Sequence, residues 1–146
     1  MKIEVKKSSK SVDYDKALRF LEKRVEDVIN GKKPELLWIL EHKPVFTAGT
    51  SYSEKEILNK NIKIIKTSRG GKITYHGPGQ KVVYFVLNLN KRGRNIRELV
   101  RNIEKCIMEI LMEYNVKSFK ERLNSLPILI KRGTVIVLFP LSIKFK

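Results

Sequence analysis

The chain has 146 residues, 42% of them hydrophobic, with a net charge of +16 and a single cysteine. That length suits one domain with a real core, the composition argues against disorder, and no apolar run nears the ~20 residues of a membrane-spanning helix. Cys106 has no partner for an internal disulfide and MKIEVKKSSKS lacks the apolar stretch of a signal peptide, so a reducing cytoplasm is the expected setting.

The first element is a helix from about Asp13 to Asn30. Its apolar positions Tyr14, Ala17, Leu18, Leu21, Val25, Val28 and Ile29 fall on one face. Asp13 is placed to cap its start, and Gly31 stops it. LLWIL, residues 36–40, reads as a buried strand; Glu41-His42-Lys43-Pro44 breaks it, and VFTAG resumes an extended course to Gly49. A weak helical hint lies at Glu54–Leu58. Ile62–Thr67 alternates as a half-buried strand would, ITY is a further strand fragment, and VVYFVLNL over 82–89 carries the strongest strand pattern.

Asn95 with Glu98 forms a capping-box pattern and opens a second helix through Asn115, with Ile96, Leu99, Val100, Ile103, Ile107, Ile110, Leu111 and Tyr114 in helical spacing. Cys106 lies on the flank of that stripe, where a small packing residue is the default reading. Residues 122–146 contain no acidic residue, although 15 occur earlier. LPILI and TVIVLF there are strand-like, with Pro127 and Pro140 interrupting them. The order helix, strands, helix, strands predicts an α/β (α+β) domain, a mixed sheet flanked by helices.

The lysines are spread along the chain and its longest basic runs are dipeptides such as Lys6-Lys7. They read either as solvated surface or as attraction for an acidic partner. Two histidines and one cysteine give no zinc spacing, and neither a Walker loop nor a Rossmann glycine fingerprint occurs. No metal or cofactor is expected. Glu41 and His42 are adjacent, which points their side chains to opposite faces of a strand and argues against a joint role.

One segment stands apart. Residues 69–80, RGGKITYHGPGQ, hold four of the eight glycines and one of the two histidines. Gly70 and Gly71 admit close approach to the backbone, Arg69 offers a guanidinium suited to phosphate or carboxylate, and Thr74, Tyr75 and His76 bring hydroxyls and an imidazole together. Gly77-Pro78-Gly79 then makes a rigid turn. The plain alternative is a pair of tight turns around a strand, with His76 in one structural hydrogen bond.

RGGKITYHGPGQKVVYFVLNL closely resembles the signature of the lipoyl(octanoyl) transferases of lipoate biosynthesis, and LLWILEHKPVFTAG is similar to a second block of that family. The resemblance covers roughly residues 12–120. Lipoate-protein ligases carry a serine-glycine-glycine-glycine element followed by His-Asp, where this chain has His76-Gly77-Pro78-Gly79-Gln80. The resemblance implies a biotin/lipoate ligase-like fold, incomplete at the C-terminus, with 1–146 a single domain and 122–146 divergent. It implies transfer of an octanoyl group from octanoyl-acyl carrier protein to a lysine of lipoyl domains, those of 2-oxoacid dehydrogenases and the glycine cleavage H protein. Arg69, Gly70, Gly71, Lys72, Ile73, Thr74, Tyr75 and His76 would bind the acyl substrate. Neither nucleic acid nor membrane is an expected partner.

The family's catalytic cysteine and lysine lie in a Pro-Cys-Gly and a Lys-Ile element that do not occur here. No residue is therefore assigned as catalytic: Cys106 in EKCIMEI does not match, and Lys131 lacks the context. Impaired turnover, through truncation or a frame change after about residue 120, is the expectation, with a non-catalytic acyl or carrier-protein binding module, or a ligase-like enzyme, as alternatives.

Overall fold

The computed structural model describes residues 2–57, 59–115, 128–131 and 134–141, the last two segments as strand backbone. A five-stranded sheet has the order β1-β2-β6-β8-β7, where β1 is Ile3–Lys7, β2 Glu35–Leu40, β6 Lys81–Asn88, β7 Ile128–Lys131 and β8 Thr134–Leu141. Only the β1–β2 pair is parallel. A second sheet of three strands has the order β4-β3-β5, from β3 (Val45–Ala48), β4 (Ile64–Lys66) and β5 (Ile73–His76). This is the mixed architecture anticipated above.

Helix α1 (Tyr14–Ile29) begins where Asp13 accepts the Lys16 amide and ends at Asn30, with Gly31 at φ 68° in the left-handed region. Its Ala17, Leu21, Val25 and Val28 pack on Leu36, Trp38 and Leu40 of β2 and Val82, Tyr84 and Val86 of β6. The two strands are in register, Trp38 opposite Tyr84 and Leu40 opposite Val82, so period-2 alternation turns all of these toward the helix. Arg24, buried in the same layer, pairs with Glu4 at 2.6 Å and ties β1 to α1.

Helix α2 (Ile96–Glu113) opens with the capping box: Asn95 accepts the Glu98 amide at 3.1 Å and donates to its carboxylate at 3.2 Å. It packs on the other sheet face, where Ile103, Leu99 and Ile107 meet Phe85, Leu87 and Leu89. Its far half is less covered, with Ile110, Met112 and Tyr114 exposed. Cys106, expected as a packing residue, is exposed.

Three local expectations change. The hint at 54–58 is a 3₁₀ turn at Glu54–Glu56, and the strand expected over 62–67 is trimmed to Ile64–Lys66. Strand β1 was not anticipated: its lysines and glutamate hide a half-exposed edge strand. Pro140 sits within β8 opposite Val82, beyond the end of β7, where a missing N–H is tolerated; Pro127 lies outside the described residues.

Replacing Leu21, fully buried between α1 and the sheet, with alanine should lower the unfolding free energy by about 3 kcal/mol in urea denaturation. The same change at half-exposed Ile110 should stay within about 0.5 kcal/mol.

Candidate functional site

The glycine-rich segment lies across the end of the small sheet. Arg69 is buried and turned inward: its Nη2 donates to the Thr47 carbonyl at 3.0 Å, the Thr47 hydroxyl at 2.8 Å and the Lys72 carbonyl at 3.0 Å, and its Nη1 to the Gly70 carbonyl at 3.0 Å. The carbonyls of the turn meet amides of the chain leaving β3: Thr50 donates to Arg69 O at 2.9 Å, Ser51 to Gly71 O and Gly49 to Lys72 O, both at 3.2 Å. This approach explains two glycines. Gly71 has φ 92°, and a side chain on Gly49 would run into the carbonyls of Arg69, Gly70 and Gly71.

His76, the last residue of β5, is fully buried. Its Nδ1 donates to the Gln80 side-chain carbonyl at 2.7 Å across the Gly77-Pro78-Gly79 turn. That tautomer leaves Nε2 as an acceptor, and this buried nitrogen has no partner among the described residues. Burial and the positive charge of Arg69 hold His76 below the ordinary imidazole range, so it stays neutral.

Rings surround it. Tyr14, from the first turn of α1, stacks on His76 with 6.3 Å between ring centroids and 8° between planes. His42 lies 5.9 Å from His76 and 5.1 Å from Tyr14. The His42 Nδ1 donates to the Val12 carbonyl at 3.0 Å, and its Nε2 accepts from the Tyr84 hydroxyl at 2.7 Å. Burial lowers the His42 pKa to about 4 and raises that of Tyr84. Glu41 points away, accepting the Gly79 amide at 3.1 Å and Lys81 at 2.7 Å.

The eight residues singled out in the sequence thus divide. Arg69 and His76 are buried, Gly70 and Gly71 shape the turn, and Ile73 and Thr74 are half-covered in β5, where Thr74 O accepts the Thr47 hydroxyl. Lys72 turns outward to Glu56, and Tyr75 is exposed with its ring on Phe46. Sequence reasoning missed Tyr14, His42 and Tyr84 as neighbours of His76. Period 2 carried past β2 would have found His42, which continues the Leu36, Trp38, Leu40 face. Among the described residues no cluster of three or more His, Cys, Asp or Glu could hold a metal ion.

Residues 13–131 match the lipoyl protein ligase A/B catalytic domain. The chain belongs to that family. It is 44% identical over 119 residues to an octanoyltransferase of Ehrlichia chaffeensis, covering 80% of this chain and 56% of the relative. It is 42% identical over 118 residues to one of Novosphingobium aromaticivorans, covering 81% and 53%. The chain spans about half the length of the curated relatives it matches. Its fold is shared with a bi-partite lipoate protein ligase of Thermoplasma acidophilum, at TM-score 0.66 and 10% identity over 99% of this chain and 64% of that one. A lipoate-protein ligase A bound with ATP superposes at TM-score 0.65 and 10% identity, over 98% and 68%. No helix among the described residues is long and apolar enough to cross a membrane.

Two measurements probe the site. Because His42 and His76 titrate below 6.5 when folded, the unfolded chain binds protons that the folded chain refuses. This contribution is complete above about pH 6.5 and lost as the pH falls to about 4, and His42 alone accounts for about 3 kcal/mol. Urea denaturation across that window should show a shallower loss for His42→Gln than for the wild type. Gly49→Ala should cost about 2 kcal/mol or more, because the obstructing atoms are backbone carbonyls.

Proposed function

We propose that the chain binds the octanoyl group presented by octanoyl-acyl carrier protein and serves, in the cytoplasm, the transfer of that group to a lysine of lipoyl domains, such as those of 2-oxoacid dehydrogenases and the glycine cleavage H protein. The observation that carries this reading is the unpartnered Nε2 of His76, buried within the segment that resembles the octanoyltransferase signature. An unmet buried acceptor costs about 1–3 kcal/mol, which an N–H donor on the bound substrate would recover. Neutrality, enforced by burial and Arg69, keeps that lone pair available at pH 7. The uncompensated Arg69 charge and the net charge of +16 favour an acidic carrier.

In this reading Arg69, Gly70, Gly71, Lys72, Ile73, Thr74, Tyr75 and His76 form the substrate-binding segment, with Arg69 acting through the turn it holds. Transfer requires an amine to attack the thioester carbonyl, an amide to form and the thiol to leave with a proton. The family's route through a cysteine thioester has no matching residue here. Cys106 lines the Val83–Phe85 face of the sheet, whereas His76 packs toward the Tyr84 face. For these 146 residues alone the reading is binding, with turnover put to the test below.

Octanoyl-acyl carrier protein titrated against His76→Leu should bind at least about tenfold more weakly than to the wild type. Equal binding by a folded variant sinks the reading of the site. The wild type should give negligible octanoyl transfer to a lipoyl domain and no thioester on Cys106 by mass spectrometry. Robust transfer, or that adduct, overturns the impairment.

A further inference from the structure

The sheet face opposite the histidines carries a groove of about 880 Å³ that the reaction above does not use. Leu37 and Ile39 of β2 with Val83 and Phe85 of β6 make its floor. Leu99, Ile103 and Ile107 of α2 make its wall, with Cys106 at its edge. Its floor and wall are apolar, with Asn102 of α2 and Arg92 as polar members of the lining besides those at the Lys7 end. Arg92, at the Ile3 end, is held by Glu35, and the remaining cations stand at the other end. Lys7 at the end of β1 and Lys81 at the start of β6 stand there with Ser8 and Ser9, because β1 is parallel to β2 and β6 antiparallel. Lys81 is engaged by Glu41, but Lys7 makes no ion pair among the described residues.

An apolar slot with a cation and hydroxyls at one end matches a flexible hydrocarbon tail bearing a carboxylate. A second copy of the chain is disfavoured, because two molecules of charge +16 repel. The geometry points to a binding site for a medium-chain fatty carboxylate between α2 and the β2–β6 face, its tail along the groove and its headgroup at Lys7. This site lies across the sheet from His76 and does not depend on the reading of that residue.

Cys106, exposed at the edge, is the reporter: its alkylation by a maleimide is followed in the full chain with acetate, hexanoate, octanoate or decanoate. Decanoate should slow alkylation at least about fivefold at saturation, and affinity should rise about two- to fourfold per added methylene, while acetate does nothing. Lys7→Glu, on an exposed edge strand, should weaken the protection by octanoate, while Lys60→Glu, an equal charge change on an exposed residue outside the groove, should leave it unchanged. Three outcomes overturn the proposal: no protection by decanoate, protection independent of chain length, or a dimer at assay concentration that decanoate leaves intact.

Discussion

A neutral imidazole at position 42 holds together the end of the fold where the glycines gather. His42 donates to Val12 O just before α1 and accepts from Tyr84 on β6, so one ring fixes the entry of the helix, the continuation of β2 and the central strand. The bond accepted from Tyr84 requires the uncharged form, and burial maintains it. The Tyr84 hydroxyl stays protonated for the same reason. Tyr14 sits against this ring and stacks on His76, so the site imidazole is positioned by α1 and β2 as much as by its own turn. The Gly77-Pro78-Gly79 turn has a narrower task. It returns Gln80 to His76 and presents the Gly79 amide to Glu41.

Arg69 imposes the second constraint. A buried guanidinium without a carboxylate is costly unless its donors are met; here backbone carbonyls and the Thr47 hydroxyl meet the two terminal nitrogens, while Nε has no partner among the described residues. That arrangement leaves the charge uncompensated, and the consequence falls on His76, whose protonation the nearby cation opposes. The arginine thus shapes the turn and sets the state of the residue that faces a ligand. A lysine could not do the first part, since a single ammonium lacks the planar fork that reaches acceptors from Thr47, Gly70 and Lys72.

The helices and β6 were legible because their signals are local: periodic apolar positions, Asp13 and Asn95 as caps, an unbroken apolar run of valines, aromatics and leucine at 82–87. Strand β1 was not, since Lys and Glu at alternate positions read as a polar leader until β2 supplies the partner. The same limit applied to the site. RGGKITYHGPGQ announced itself through glycine and proline, yet Arg69 faces inward for a reason located at Thr47, 22 residues earlier. His42 was set aside because only its neighbour Glu41 was considered. Its true partner is 42 residues away, brought opposite by β2–β6 register.

The two faces of the main sheet are finished differently, and that difference gives the spread of lysines a physical role. The α1 face is closed, with Ala17, Leu21 and Val25 essentially inaccessible. On the other face α2 buries only Val100 and Ile103, and its apolar stripe runs on into exposed Ile110 and Tyr114. A helix of this kind is held by its N-terminal box and by Ile103 rather than by continuous packing. An open aliphatic face invites self-association, which a large net charge of one sign opposes. Lys7 and Lys81 stand at the edge of that face, so part of the charge lies where contact between copies would begin. Lysines that look uninformative along the chain thus include, in the fold, Lys7 and Lys81 at the rim of an apolar surface, where their charge opposes contact between copies.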